Sequence, residues 1–118
     1  MKKTIEIEEL DEFKKDLKRL LKKYKTLNSD LNDVRKDLVD EPGSHPPFSY
    51  QLSGLEIQTC VIKVKKIASD SFKGRGRNSG FRLIYAWYET EQRIIFTEIY
   101  HKNEKELEDR QRLITNFK

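Results

Sequence analysis

The sequence has few of the residues that build disulfides, metal sites and membrane spans. Cys60 is its one cysteine, so an internal disulfide is excluded. The CxxC and HxxxH spacings of metal sites are absent, and we expect neither a metal nor a cofactor. No apolar run approaches the roughly 20 residues of a membrane helix, and the N-terminus lacks the apolar centre of a signal peptide. We therefore expect a soluble, cytoplasmic protein without membrane association.

Proline and glycine are also scarce, and they are unevenly placed. All three prolines and two of the five glycines lie in residues 41–56, which predicts an irregular loop there. Hydrophobic residues make up only 36% of the 118 residues, so the core should be thin. A chain of this length is expected to form one domain, residues 1–118.

Positive charge is abundant and clustered. The chain carries 24 Lys and Arg against 20 Asp and Glu, a net charge of +4. Between residues 63 and 82, Asp70 is the one acid among seven cations: Lys63, Lys65, Lys66, Lys73, Arg75, Arg77 and Arg82. Such a cluster attracts phosphate in a salt-dependent way, so we expect an anionic partner such as RNA.

The first 43 residues predict a strand followed by a helical hairpin. Residues 4–8 alternate between apolar and polar side chains, as in a half-buried strand. Apolar residues then recur at helical spacing over residues 10–24. Asn28 or Ser29 is expected to cap a second helix, which the Glu-Pro-Gly of residues 41–43 ends. So short a connection predicts two antiparallel helices.

The remainder predicts three strands and a final helix. Strands are expected near residues 61–65, at 81–88 and at 93–100, with residues 69–80 as a flexible hairpin loop. A helical period follows over residues 101–117, although its first turn is almost entirely charged. The order of elements predicts an α+β fold, in which the helical hairpin packs on a mostly antiparallel twisted sheet and a C-terminal helix follows.

Four cationic or imidazole side chains are candidates for catalysis. Lys63 and Lys65 share one face of their strand, because side chains alternate. If the sheet face opposite the helices, together with the end of the final strand, also gathers Arg82 and His101, the group can cut RNA without metal. Attack by the 2′-hydroxyl needs a base, cations that stabilise charge on phosphorus, and an acid for the leaving 5′-oxygen. A lysine among cations has a lowered pKa, which suits the base.

Each candidate also has a structural interpretation. Lysines on the outer face of a strand, such as Lys63 and Lys65, are usually solvent-exposed residues without a catalytic role. A buried salt bridge would explain Arg82 about as well as phosphate binding does. His101 is a general acid, a phosphate donor or an exposed imidazole. Most of the aromatic residues are expected in the core, and Tyr100 is the preferred candidate for stacking on an RNA base.

Four segments carry a resemblance to a known family: LSGLE, IKVKKIA, GFRLIY and IYHKNEKE, at residues 52–56, 62–68, 80–85 and 99–106. Together they resemble the RelE/ParE superfamily of bacterial toxins, particularly the RelE and HigB-like ribosome-dependent mRNA endoribonucleases. The resemblance extends over nearly the whole chain in the order of elements, and it implies a RelE-like fold.

The resemblance implies roles for particular positions. Lys63 and Lys65 match the family's pair of strand lysines, with Lys66 as a one-residue alternative. Arg82 matches the arginine of the family's Gly-aromatic-Arg motif.

The match is weaker after the last strand. His101 or Lys102 occupies the place of a basic or imidazole side chain, whereas Leu107 and its neighbours stand where RelE-type members have a tyrosine. That role is empty or passes to Tyr100 or His101. The catalytic set is therefore expected to be Lys63, Lys65, Arg82 and His101, and the RNA-binding set Lys66, Lys73, Arg75, Arg77, Tyr100 and Lys102.

The function implied by the resemblance is cleavage of mRNA in the ribosomal A site, leaving a 2′,3′-cyclic phosphate. The partners implied are the ribosome, mRNA and a cognate antitoxin that covers the basic site or displaces the final helix. The alternative within the superfamily is a ParE-like toxin that poisons DNA gyrase without nuclease activity. A third interpretation is an RNA-binding or inactive domain, which predicts salt-dependent RNA binding without toxicity.

Overall fold

The structure, a computed structural model, describes residues 4–118. Its helices are α1 (Asp11–Leu21), α2 (Leu27–Asp40) and α3 (Arg110–Phe117). Its strands are β1 (Glu6–Glu9), β2 (Ser49–Gln51), β3 (Cys60–Val64), β4 (Phe81–Tyr88) and β5 (Arg93–His101). None of the helices described is both long and apolar enough to cross a membrane.

The five strands lie in one sheet, in the order β1, β5, β4, β3, β2. β1 runs parallel to β5, and the other neighbours are antiparallel. The α1–α2 hairpin packs on one face of this sheet, which we call the hairpin face. The predicted α+β fold, with a helical hairpin on a mostly antiparallel sheet and a C-terminal helix, is thus confirmed.

Most of the core lies on the hairpin face. Phe13 of α1 stacks at a tilt on Phe96 of β5, with ring centroids 5.3 Å apart. Leu17 and Leu20 of α1 join the same buried cluster, since their spacing places them on one stripe of the helix. The other face carries a smaller cluster, which we call the α3 face: Leu55, Val61, Ile84, Tyr100 and Leu113.

The start of α2 differs from the prediction. The helix begins at Leu27, and Thr26 rather than Asn28 or Ser29 precedes it. The Thr26 hydroxyl does not cap the helix, because it bonds to Asp30 and to Ser71 instead. Tertiary contacts with the loop after β3 therefore set this helix start.

Three further elements differ in part from the prediction. Residues 49–51 of the predicted irregular loop form β2, because they pair with β3. Residues 69–80 lie in the connection between the antiparallel strands β3 and β4, as predicted for a hairpin loop, but they contain a 3-10 turn at Asp70–Phe72, and Phe72 packs on the ring of Tyr24. The last helix begins at Arg110 rather than near residue 101, because Asp109 caps it by accepting a hydrogen bond from the Arg112 amide at 3.0 Å.

Gly80 precedes β4 with a φ of +95°. A Cβ at this position would lie 2.7 Å from Nε2 of His101, so even a methyl group would displace that ring. The Gly-Phe-Arg sequence at residues 80–82 therefore begins with a structural requirement for glycine.

Candidate functional site

Lys63 lies at the centre of the α3 face and is covered. Its side chain is only 8% exposed, and its Nζ donates to Oε1 of Glu108 at 3.0 Å. Arg110 donates to the other oxygen of the same carboxylate at 2.9 Å. The Lys63 ammonium also lies 5.6 Å from the centre of the Tyr100 ring. The segment that leads into α3 thus masks the first candidate lysine with an acid.

The ion pair changes the chemistry expected of Lys63. Burial by itself lowers the pKa of this lysine, but the contacts with Tyr100 and Glu108 outweigh burial and raise the pKa above its ordinary value. Burial likewise raises the pKa of Glu108, yet Lys63 and Arg110 bring it below its usual range. The expectation of a lysine with a lowered pKa is therefore wrong, because an acid rather than other cations lies next to it.

Arg82 and Lys65 form the accessible part of the α3 face. Nη1 of Arg82 donates to the carbonyl oxygens of Lys65, at 3.1 Å, and of Phe81, at 3.3 Å. These bonds hold the guanidinium at the end of β4, half-buried, and no acid pairs with it within residues 4–118. A buried salt bridge is therefore not what holds Arg82. Lys65 is exposed and lies 5.8 Å from the centre of the Tyr50 ring.

The other cations of this segment lie in or beside the loop that follows β3, and none of them forms a salt bridge in residues 4–118. Lys73, Arg75 and Arg77 are exposed, and Lys66 donates to the side chain of Asn78 at 2.7 Å. Of the seven cations between residues 63 and 82, Lys63 is the one that forms a salt bridge in the described part of the chain. The other six form what we call the cationic surface: Lys65, Lys66, Lys73, Arg75, Arg77 and Arg82.

His101 lies on the opposite face from Lys63 and Arg82, so the expectation that all four candidates share a face is wrong. The reason is a bulge in β5, where Ile84 pairs with Glu98 while Tyr85 pairs with Phe96. The extra residue reverses which side chains of β5 point to each face beyond it.

The environment of His101 is that of a structural residue. Its ring stacks on Phe72 and Tyr24, with centroids 5.0 and 5.5 Å apart. Nε2 lies 2.9 Å from the carbonyl oxygen of Ser79, and Nδ1 accepts from the Asn103 amide at 3.1 Å. Burial lowers the pKa of this imidazole. His101 is thus a neutral imidazole with both nitrogens engaged, unsuited to act as a general acid.

The buried His101 predicts a pH-dependent stability. Because the pKa is lowered in the folded state, the unfolded chain takes up the proton first. The free energy of unfolding should therefore be greatest above the unfolded pKa of 6.5 and decline as the pH falls below it, by at most about 1.4 kcal/mol per pH unit. Urea unfolding between pH 7 and about 5.5 measures this slope above the range in which Glu104 and Glu108, whose pKa values are also lowered, contribute, and His101→Phe should remove it.

The chain offers a matched control for this measurement, because it has only one other histidine. His45 is 58% exposed and pairs with Glu41. His45→Phe should leave the slope as in the unaltered protein. An equal loss of slope in both variants, or in neither, would contradict the assignment to His101.

Tyr100 and Lys102 complete the predicted site. Tyr100 is fully buried under α3, so it offers no surface to an RNA base, contrary to the expectation. Burial raises the pKa of its hydroxyl, and the neighbouring ammonium of Lys63 acts in the opposite direction. Lys102 is exposed just beyond β5.

Two kinds of functional residue were missing from the sequence prediction. The first is the acid pair Glu98 and Glu108, of which Glu98 accepts from the Asp109 amide at 2.7 Å and pairs with Lys105. A charge within the apolar run of β5 was a signal for Glu98. The second is the exposed aromatic Tyr50, 42% exposed beside Lys65, for which the proline-rich loop gave no signal.

Comparison with known proteins supports the fold. The sequence matches no known family model and no curated protein. The structure is similar to the crystal structure of a metal-bound toxin from Helicobacter pylori, with a TM-score of 0.56 and 19% sequence identity. The match covers 86% of this chain and 98% of that toxin. Within residues 4–118, no three His, Cys, Asp or Glu side chains form a cluster that could hold a metal. The chain thus has the fold of a bacterial toxin.

Proposed function

We propose that this protein is the toxin of a toxin–antitoxin module and that it cleaves mRNA on the ribosome. The observation that carries this proposal is the Arg82 guanidinium, which the backbone carbonyl oxygen of Lys65 holds at the start of β4 without a salt bridge in residues 4–118, next to the exposed residue Lys65. Four more cations of the cationic surface extend the positive charge along the adjacent loop. The toxin fold and the sequence resemblance both agree with it.

The geometry of Arg82 suits the binding of a phosphate in the transition state. Nη1 is anchored on two carbonyl oxygens, which leaves the donors of Nε and Nη2 without partners in the described residues. A guanidinium fixed in this way offers two donors to the oxygens of a phosphoryl group. Lys65 adds a second charge from the neighbouring strand. These groups would stabilise the charge that develops on phosphorus when the 2′-hydroxyl attacks.

Lys63 enters the mechanism in a different role from the one expected. Its ammonium is within 3.0 Å of Glu108, so it reaches a phosphate only when the segment leading into α3 moves away. A lysine that remains protonated suits the donation of a proton to the leaving 5′-oxygen better than it suits the base, and the proton that the attacking 2′-hydroxyl releases passes to water. RNA on the ribosome, or the ribosome itself, would supply the charge that replaces Glu108.

The cationic surface also supports an antitoxin partner. Glu108 already neutralises Lys63 from within the chain, whereas the other six cations remain without acids. An antitoxin with an acidic segment would cover them, and a short neighbouring gene that encodes such a protein would support the module.

Inducible expression in bacteria, followed by mapping of mRNA 5′ ends on ribosomes, tests the proposal. We expect growth arrest together with new 5′ ends at a fixed position within codons in the A site. DNA-damage signalling with intact mRNA would favour the gyrase-poisoning alternative instead. Normal growth together with salt-dependent RNA binding in vitro would indicate an RNA-binding domain without toxin activity.

A further inference from the structure

A cleft lies at the end of the cationic surface, on the hairpin face, between the C-terminus of α2 and the start of β2. We call it the α2–β2 cleft, and its volume is about 330 Å³. Val64 and Leu38 contribute apolar side chains to its lining, together with the half-buried ring of Phe48. Neither the proposed chemistry nor the comparisons assign a role to this cleft.

The two walls of the cleft carry opposite charges. Lys66 and Arg77 belong to the cationic surface, and Arg77 lies over the Phe48 ring with its guanidinium carbon 4.9 Å from the ring centre. The opposite wall, at the end of α2, carries the exposed carboxylates of Asp37, Asp40 and Glu41. A polyanion can follow the first wall but is repelled by the second, so a bound nucleotide would have its phosphate towards Lys66 and its base between Arg77 and α2.

Hydrogen bonds to backbone carbonyl oxygens hold the segments beside the cleft in place. The carbonyl oxygen of Phe48 accepts from the amides of both Lys65 and Lys66, at 2.9 and 3.2 Å. On the other side, the hydroxyl of the buried Tyr85 donates to the carbonyl oxygen of Pro42 at 2.6 Å. These bonds fix both walls before any ligand arrives, which reduces the entropic cost of binding.

The position of the cleft connects it to Arg82. Lys65 and Lys66 are neighbours in the chain just beyond the end of β3, with Lys65 beside Arg82 and Lys66 in the cleft. An RNA strand with a phosphate at Arg82 can therefore pass around the end of β3 and place a neighbouring nucleotide at the cleft.

Resting on the proposed action on mRNA, we propose that the α2–β2 cleft binds one unpaired nucleobase of the RNA strand and prefers bases that carry an exocyclic amine. His45 already stacks on the Phe48 ring, with centroids 5.9 Å apart, so the base stacks on the exposed plane of the Arg77 guanidinium, which the Phe48 ring holds from the other side. The carboxylates of α2 accept hydrogen bonds from the amine of adenine, cytosine or guanine, which uracil lacks.

Binding of labelled six-nucleotide RNAs, measured by fluorescence anisotropy at one fixed salt concentration, tests the proposal. The probes are oligo(A), oligo(C), oligo(U) and an abasic hexamer with the same phosphates. We expect oligo(A) and oligo(C) to bind about 5- to 100-fold more tightly than the abasic probe, the range that stacking of one base contributes. Oligo(U) should fall between them.

Two variants test whether the preference for bases arises in the α2–β2 cleft. Phe48→Leu keeps the apolar volume but removes the ring, so it should abolish the preference for bases while binding of the abasic probe stays unchanged. Asp37→Ala should reduce the preference for oligo(A) and oligo(C) over oligo(U). Its matched control is Asp33→Ala, an exposed acid of the same helix outside the cleft. If Phe48→Leu does not fold, the comparison of Asp37→Ala with Asp33→Ala still shows whether the cleft recognises the base.

Several outcomes would overturn the assignment of the cleft. Equal affinity of the unaltered protein for base-containing and abasic probes would do so, as would a Phe48→Leu variant that weakens all probes alike. If ribosomal mRNA cleavage persists in either case, the proposed function stands and the cleft serves another ligand, such as a side chain of a protein partner. If the unaltered protein neither bound RNA nor cleaved mRNA, both the proposed function and the proposed role of the cleft would be contradicted.

Discussion

Arg82→Ala should abolish growth arrest and lower ribosome-dependent mRNA cleavage by about 100-fold or more, as the loss of one charge-stabilising donor does in other active sites. The guanidinium is half-exposed and bonds only to two carbonyl oxygens, so its removal leaves no buried charge without a partner. The variant should therefore remain folded. Growth after induction and the rate of cleavage on purified ribosomes measure the effect, and thermal unfolding by circular dichroism checks the fold.

Arg93→Ala is a matched control for this experiment. Arg93 lies on the same sheet but pairs with Tyr88, at the far end of β4 from Phe81, and forms a salt bridge with Glu8. Its removal should leave toxicity unchanged. If Arg82→Ala stayed as toxic as the unaltered protein, or if both variants lost toxicity equally, Arg82 would not be the phosphate-binding residue.

Lys63→Ala should lower the free energy of unfolding by about 3 kcal/mol, because it leaves the buried carboxylate of Glu108 without its lysine partner. Arg110 still contacts this carboxylate from a partly exposed position, so the loss should lie at the lower end of the range for broken buried pairs. Urea denaturation measures the difference.

Two further variants separate charge burial from loss of the side chain. Lys63→Met with Glu108→Leu removes both charges and retains apolar volume, so it should be within about 1 kcal/mol of the unaltered protein. Lys65→Ala removes an exposed lysine of the same face and should change stability by less than about 0.5 kcal/mol. A Lys63→Ala variant as stable as the unaltered protein would show that Glu108 does not cover Lys63 in solution.

The local pattern of apolar residues was sufficient to predict the secondary-structure elements that carry the cationic residues. The apolar stripe of α1 and the dense apolar runs of β4 and β5 predicted those elements, because side-chain period depends only on neighbours in the chain. Alternation also placed Lys63 and Lys65 on one face, in agreement with Tyr50, which pairs with Lys63 and has the Lys65 ammonium over its ring. The high density of cations between residues 63 and 82 is likewise a property of the sequence.

The state of each candidate side chain depended on contacts distant in the chain. Lys63 pairs with Glu108, 45 residues away, and no local pattern indicates which acid will cover a given lysine. The bulge at Thr97 has no strong sequence signal, yet it decides the face of His101. If the register that pairs Tyr85 with Phe96 continued without the bulge, Arg82 would lie opposite Ile99. His101 would then point to the same face of the sheet as Arg82.

The sequence by itself determined the α+β order of elements, the cation-rich segment and the shared face of Lys63 and Lys65, since each follows from composition or from side-chain period. Tertiary structure alone decided that Glu108 masks Lys63, that His101 is buried as a neutral imidazole, and that Phe48 and Arg77 meet at one cleft. The physical reason is that pKa, burial and register are set by groups brought together in space, whereas periodicity reports only the direction in which each side chain leaves its own element.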